Sequence, residues 1–221
     1  MINETKTLTF DFVNAYLLNV QDGFILIDTG FSMHWPRLEK ELLHAGCLPD
    51  RLKLVIITHG DVDHIGNCFE LQKKYHVPIA LHPGDAELTK TGIPLKRKIK
   101  SFRGKVFRIL RMLGKKFSPG YKTFEPDILL YEGQELQSYG LPARVIHTPG
   151  HTNGSIAILT EDGRLFTGDT VGNRKKPESA PYIFNEQELH NSIALLKTLH
   201  AHTIYPGHGN PFPFSALEKV F

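Results

Sequence analysis

The chain alternates short apolar runs with breaks rich in Gly, Pro and Asp. Residues 12–20 and 24–27 are apolar, β-rich runs separated by Asp22-Gly23. That dipeptide predicts a tight hairpin, because Gly accepts positive φ. The second run ends Leu26-Ile27-Asp28-Thr29-Gly30, which sets Asp28 at the C-terminal end of a strand. Pro36 starts and Gly46 stops a predicted helix with Leu38, Leu42 and Ala45 on one face. Residues 54–57, Leu-Val-Ile-Ile, form the continuous apolar run of a fully buried strand. A helix is predicted from His64 to about Tyr75, and a strand over 77–81.

The last third follows a similar plan. A strand is predicted over 143–146. Runs at 155–159 and 164–167 flank Glu161-Asp162-Gly163 as a second hairpin, which again delivers an aspartate at its exit, Asp169. Asn185-Glu186-Gln187-Glu188 reads as a capping box before Leu189, Ile193 and Leu196 at helical spacing. Residues 203–205 predict a final strand and 215–221 a closing helical turn. Two hairpin-plus-helix halves suggest an internal pseudo-repeat, with helices layered outside stacked sheets.

Charge changes this picture in one place. Residues 88–124 hold twelve Lys/Arg and no Asp or Glu. The net charge of +3 is therefore the property of that segment, and the rest of the chain is acidic. A nucleic-acid partner is not expected from so local a surplus. Within the segment Ile99, Phe102, Val106, Ile109, Leu110, Leu113 and Phe117 recur at helical spacing, with basic residues between them. This predicts an amphipathic basic helix over about 96–117. A lid that attracts anions is the favoured role, and a membrane-surface contact or a plain solvated helix face are the alternatives. Cys47 and Cys68 are too few for a disulfide framework and contain no C-x-x-C pair, so two reduced thiols are expected. The opening residues show no secretory pattern and no run is long enough to span a bilayer, so a cytoplasmic location is expected.

The chemistry is concentrated in loops that follow strands. Thr58-His59-Gly60-Asp61-Val62-Asp63-His64 places four metal-binding side chains within six residues, directly after the buried run 54–57. Imidazole suits zinc, iron and copper, and carboxylates suit harder ions and can bridge two of them. Three further clusters also follow apolar strands and are shaped by Gly or Pro: 147–155 with His151, 168–170 with Asp169, and 205–209 with His208. Together they give seven candidate ligands: His59, Asp61, Asp63, His64, His151, Asp169 and His208.

These motifs resemble the metallo-β-lactamase-fold superfamily, whose metal motif H-x-H-x-D-H is followed downstream by His, Asp and His. Phe12-Val13-Asn14-Ala15-Tyr16-Leu17 and the strand ending Asp28-Thr29-Gly30 also resemble that family, and 147–155 is similar to its glyoxalase II and lactonase branches. The resemblance spans 12–209, with 88–142 unmatched. It implies an α/β fold, a four-layer αββα sandwich, formed by 1–221 as one domain with a basic helical insertion at about 88–124. It implies two divalent ions, zinc first. His59, Asp61 and His151 would hold one and Asp63, His64 and His208 the other, with Asp169 bridging. Asp28 would orient a ligand histidine, or else simply cap its strand. His147 stands at no ligand position, so a packing or loop role is expected.

The implied reaction is hydrolysis of a small ester, lactone or thioester, a small-molecule substrate that the basic segment suggests is anionic. A metal-bound hydroxide would attack, with Asp63 as the catalytic residue that orients it. One departure matters: the family usually has His where this chain has Asp61. A third carboxylate lowers the charge of the centre, weakens its Lewis acidity and moves the first site towards Mn²⁺ or Fe²⁺. A diiron or mononuclear iron redox enzyme on the same fold is the alternative, because the flavodiiron branch also carries a carboxylate there. Lactam hydrolysis is disfavoured, since many zinc β-lactamases have Cys where Asp169 stands.

Overall fold

The structure is a computed structural model that describes residues 2–92, 98–99, 120–179 and 181–220. Its strands are β1 (Ile2–Phe10), β2 (Val13–Val20), β3 (Gly23–Ile27), β4 (Leu52–Ile56), β5 (Ile79–Leu81), β6 (Lys98–Ile99), β7 (Ile128–Leu129), β8 (Ala143–His147), β9 (Ile156–Thr160), β10 (Arg164–Gly168), β11 (Val171–Gly172), β12 (Glu178–Ser179), β13 (Tyr182–Ile183), β14 (Thr203–Pro206) and β15 (Phe212–Pro213). The described helices are α1 (Trp35–His44), α2 (Val62–Ile65), α3 (Cys68–Tyr75), α4 (Pro83–Thr91) and α5 (Glu186–Lys197).

Two sheets stack face to face. One has the order β1-β2-β3-β4-β5-β7 and the other β15-β14-β10-β9-β8. Strand alternation decides which core each side chain enters. Ile25 and Ile27 of β3 meet Val145, Ile158 and Phe166 of the opposite sheet in the central core. Phe24 and Leu26 turn outward to Leu38, Leu42, Leu71 and Tyr75 of α1 and α3. On the far side Leu159, Leu165 and Ile204 cover Leu189, Ile193 and Leu196 of α5. The result is the expected four-layer αββα sandwich, whose central strands are buried on both faces.

The two halves share one topology. In the first, β2 is antiparallel to β1 and β3, and β3 is parallel to β4. In the second, β9 is antiparallel to β8 and β10, and β10 is parallel to β14. Each hairpin thus hands its aspartate, Asp28 or Asp169, to the same edge of the sandwich as the loop after its parallel neighbour.

Several elements differ from the sequence reading. The predicted helix 64–75 is broken into α2 and α3, because the His64 carbonyl accepts from Thr29 N (2.8 Å) and Oγ1 (2.7 Å). That carbonyl is then unavailable to the next turn. Asn67 fastens the break by donating to the Thr29 (2.6 Å) and Phe31 (3.0 Å) carbonyls. Lys98 and Ile99, read as part of the basic helix, are instead strand residues paired antiparallel with Ile183 and Tyr182. A partner distant in sequence supplies their ladder, which helical periodicity does not register. The remainder of the predicted helix, including 100–117, lies outside the described residues. Asn185 caps α5 as expected, accepting from Gln187 N (3.1 Å) and Glu188 N (3.3 Å). Cys47 and Cys68 are free and buried, and burial pushes the Cys47 thiol up to about 12. Among the described residues no helix is long and apolar enough to cross a membrane.

Candidate metal centre

The site forms where β3, β4, β8, β10 and β14 end. Asp28 follows β3 in a left-handed conformation (φ 58°). Its carboxylate accepts from Thr58 N (2.8 Å) and Thr58 Oγ1 (2.8 Å), fixing the residue just before the first metal motif. His59 then points inward from the loop, and α2 presents Asp63 and His64. His151 comes from the loop after β8, Asp169 from the exit of β10, and His208 from the loop after β14.

Each imidazole is held by its Nδ1. His64 meets Asp28 Oδ2 at 2.8 Å, His151 the Tyr182 carbonyl at 2.7 Å, and His208 the Phe12 carbonyl at 2.7 Å. All three partners are acceptors, so these Nδ1 atoms carry protons. His59 Nδ1 lies 3.1 Å from Thr58 Oγ1, whose own hydrogen goes to Asp28, so this Nδ1 also donates. In its neutral form each ring therefore turns its Nε2 lone pair to the centre, the tautomer that metal ligation requires.

The seven candidate side chains come together. His59, Asp61 and His151 form one triad and Asp63, His64 and His208 another, each with donor atoms within 4.8 Å of one another. Asp61 Oδ2 is 3.6 Å from His59 Nε2 and 3.1 Å from His151 Nε2, so its short side chain reaches the first triad. Asp169 lies between the triads: Oδ2 is 3.7 Å from His151 Nε2 and 3.2 Å from His208 Nε2, and Oδ1 is 3.4 Å from His64 Nε2. His147 stays outside, stacked on His82 with ring centroids 4.0 Å apart.

The donor set fits divalent cations. His59 Nε2, His64 Nε2 and Asp169 Oδ1 are buried without a hydrogen-bond partner. Unpartnered buried polar atoms are costly and rare, and here three face one another. Ligands about 2.1 Å from a tetrahedral ion stand about 3.4 Å apart, close to the separations seen here. The protein's own electrostatics agree. Burial opposes charge on His64, yet Asp28, Asp169 and Asp63 hold its imidazolium well above the usual range. Burial likewise opposes charge on His208, and Asp169 and Asp63 raise it to about 9. Asp63 is pulled down to about 2 against its burial by His64 and His208. Burial and the neighbouring imidazoles push His59 the other way, well below its ordinary value, leaving it a neutral donor. The carboxylates of Asp28, Asp63 and Asp169 thus draw positive charge into the pocket.

The backbone around the centre leaves no slack. Asn14 accepts from Thr9 Oγ1 at Oδ1 (2.9 Å) and donates to the His208 loop, from N to the Gly207 carbonyl (2.8 Å) and from Nδ2 to the Pro206 (3.0 Å) and Gly209 (2.6 Å) carbonyls. Tyr16 Oη adds a bond to Pro206 O at 2.6 Å. These tie the His208 loop to β2. A Cβ on Gly207 would stand 2.4 Å from Asp169 Oδ1 and 2.8 Å from His64 Cε1, so only glycine lets this loop approach both candidate ligands.

An αββα sandwich with a His/Asp cluster at its sheet edge is the arrangement that the sequence motifs implied. The metallo-beta-lactamase superfamily model matches residues 8–208, and the chain belongs to that superfamily. It is 32% identical over 205 residues to "Probable metallo-hydrolase MJ0888" of Methanocaldococcus jannaschii, covering 89% of this chain and 87% of that protein. It is 24% identical over 228 residues to the human "Acyl-coenzyme A thioesterase MBLAC2", covering 94% and 76%. Among solved structures, TTHA1623 in a di-iron-bound form superposes with a TM-score of 0.69 at 23% identity, over 98% of this chain and 97% of that one. The protein is accordingly a hydrolase of the metallo-beta-lactamase superfamily.

One residue of consequence escaped the sequence reading. Asp85, in the first turn of α4, is buried and accepts from Gly60 N, Thr152 Oγ1 and Gly154 N. Its only sequence signal is the strand-to-helix punctuation His82-Pro83-Gly84, which marks a helix start but not what an aspartate there will touch.

Proposed function

We propose that the protein hydrolyses an acyl ester or thioester, and favours one whose leaving part carries negative charge. The observation that carries this reading is the pair of ligand triads joined at Asp169. Two divalent ions held by His59, Asp61, His151 and by Asp63, His64, His208, with Asp169 shared, would supply Lewis acidity and lower the pKa of water. Zinc suits the four imidazoles, and Asp61 makes the first triad receptive to Fe²⁺ or Mn²⁺. Asp63 accepts a hydrogen bond from the attacking water and orients it. The new C–O bond forms as the C–O or C–S bond of the substrate breaks, and Asp63 passes the proton on to the leaving oxygen or sulfur.

Two features of the rim support an amphiphilic substrate. Phe12 is 48% exposed and stacks on the His208 ring at 5.8 Å, with Phe31 edge-on beside it. This offers an acyl chain an apolar wall next to the centre. On the other side Arg174 lines a cleft with Asp169 and His208, and among the described residues it forms no ion pair. Its backbone is fixed by Asn173, which donates from N to the His208 carbonyl (2.8 Å) and from Nδ2 to the Asn210 carbonyl (2.9 Å). Lys175 and Lys176 follow it. An acyl thioester of a phosphorylated thiol matches both walls, and the name of the human relative points the same way.

The test compares hexanoyl-coenzyme A with hexanoyl-N-acetylcysteamine, which share acyl group and thioester but not phosphates. The coenzyme A ester should have a kcat/KM at least about tenfold higher, shrinking as salt screens the attraction over ~8 Å. Arg174→Glu should abolish that preference without lowering metal content. Equal kcat/KM for the two substrates would remove the anionic leaving group from this reading, and redox turnover with iron but no hydrolysis would replace the reading altogether.

A further inference from the structure

The first triad differs from the second in how its ligands are held. His64 is fixed by Asp28, and His208 by the Phe12 carbonyl and a loop that Asn14 fastens. His59, Asp61 and His151 belong to two loops, and Asp85 joins those loops. Its Oδ2 accepts from Gly60 N at 2.7 Å and Thr152 Oγ1 at 2.7 Å, and its Oδ1 from Gly154 N at 3.0 Å. Gly60 lies between His59 and Asp61, and Thr152 follows His151. One carboxylate therefore touches the chain beside all three ligands of the first triad and beside none of the second.

We propose that Asp85 is a positioning residue that sets the geometry of the first metal site, by clamping the loop of His59 and Asp61 to the loop of His151. The inference rests on the metal-centre reading above.

Several observations support it. Asp85 is 1% exposed and, among the described residues, has no cationic partner. A buried carboxylate without one is retained only where hydrogen bonds and local dipoles compensate it. Three donors and the first turn of α4 do so here. The loops are shaped to receive it. A Cβ on Gly154 would stand 2.6 Å from Asp85 N and 2.7 Å from its Cγ, and one on Gly60 would stand 3.2 Å from its Cβ. Gly84 is pressed equally close, with a Cβ there 2.7 Å from the Asn153 carbonyl oxygen. Small residues on both loops and on the helix let α4 dock end-on against them. The second hydroxyl in the network, Ser155 Oγ, accepts from Thr152 N (3.0 Å) and lies 2.8 Å from Thr152 Oγ1, so Thr152 has a single orientation. Asp61 gives this clamp its purpose. A carboxylate at 61 has a shorter reach than an imidazole, so the two loops must be held close for Asp61 Oδ2 to sit 3.1 Å from His151 Nε2.

Asp85→Asn keeps the shape but offers an amide N–H₂ where a backbone or hydroxyl donor now points. Metal-free protein is titrated with Zn²⁺ by calorimetry against a competing chelator, and with Co²⁺ by its visible spectrum. In Asp85→Asn the affinity of one site should fall by about 10- to 100-fold, the scale of a lost outer partner of a metal ligand, and the other should stay within about threefold. His151→Ala identifies the weakened site as the first, because the double variant should lose nothing further there. A merely structural role would lower the melting temperature of the metal-free protein and weaken both sites alike. Thr152→Val removes one donor and leaves the carboxylate, so it serves if Asp85→Asn does not fold; it should weaken the first site by about three- to tenfold. Unchanged zinc affinity in either folded variant, or equal weakening of both sites, overturns the clamp. These titrations need no substrate, so a failed hydrolase assay leaves them decisive.

Discussion

His64 Nδ1, on α2, and Asp28 Oδ2, at the exit of β3, stand 2.8 Å apart, both side chains buried. The same carboxylate receives Thr58 N and Oγ1, and Thr58 Oγ1 in turn faces His59 Nδ1. One aspartate thus orients a candidate ligand of each triad, His64 directly and His59 through a hydroxyl. Asp28→Asn places an amide N–H₂ against at least one of these donors. Metal affinity should fall about 10- to 100-fold at the second triad and less at the first. Chelator-competition titration checks this, and an Asp28→Asn protein with unaltered zinc affinity would reduce Asp28 to a strand-end cap.

Asp63 is the carboxylate assigned to the attacking water. It lies 3.4 Å from His208 Nε2 and 3.9 Å from His64 Nε2, with its side chain still 17% exposed to the cleft. Asp63→Asn keeps an oxygen donor and loses the proton acceptor. On the best substrate kcat should fall at least about 10²-fold, the scale of a lost general acid–base. Full turnover by a variant of normal metal content would end this assignment.

Asp61→His replaces a carboxylate by a neutral imidazole in the first triad. Zinc should bind there more tightly relative to Mn²⁺ and Fe²⁺, because the softer ligand suits it. Competition among the three ions reads the change. Selectivity identical to wild type would mean that residue 61 does not ligate.

The His82–His147 stack gives a pH signature separate from the metals. Burial and the adjacent His147 ring pull His82 down to about 4. The unfolded chain, near the ordinary 6.5, therefore binds more protons than the folded one between those values. The contribution of the neutral ring is present above about pH 6.5 and is lost as pH falls towards 4. His82 also caps α4, accepting from Gly84 N at 3.1 Å. His82→Asn keeps a capping acceptor and removes the titration. Between pH 7 and 5 the melting temperature of wild type should drop more than that of His82→Asn. Parallel curves would place the acid sensitivity elsewhere.

Much of this was legible in the sequence because it depends on local pattern. Asp22-Gly23 announces the β2–β3 hairpin, and the apolar run before Thr58 announces that His59 to His64 emerge at a strand end. The features that were not legible depend on tertiary partners. β1 is largely polar, Ile-Asn-Glu-Thr-Lys-Thr, because it is an edge strand whose residues 3–7 are exposed or half-buried. The break at Gly66-Asn67 is imposed by Thr29, and β6 by its pairing with β13. Asp85 reaches loops that precede and follow it by long stretches of chain, and no spacing rule connects them. The seven candidate ligands were legible because four strand-end loops carry recognisable punctuation. Their convergence required the shared topology of the two halves.

The most direct measurement is the transition-metal content of purified protein, by elemental analysis, for wild type and for His151→Ala, His208→Ala and Asp169→Ala. Wild type should carry about two ions per chain. The two histidine variants should each retain about one, and Asp169→Ala should bind both weakly, because its carboxylate borders every imidazole but His59 in the distances above. Metal-free wild type should melt lower and recover on adding Zn²⁺, since binding at 100-fold above Kd stabilises by about 2.7 kcal/mol per site. Wild-type protein that carries no metal and refuses Zn²⁺, Mn²⁺ and Fe²⁺ would contradict the metal centre and the hydrolysis built on it.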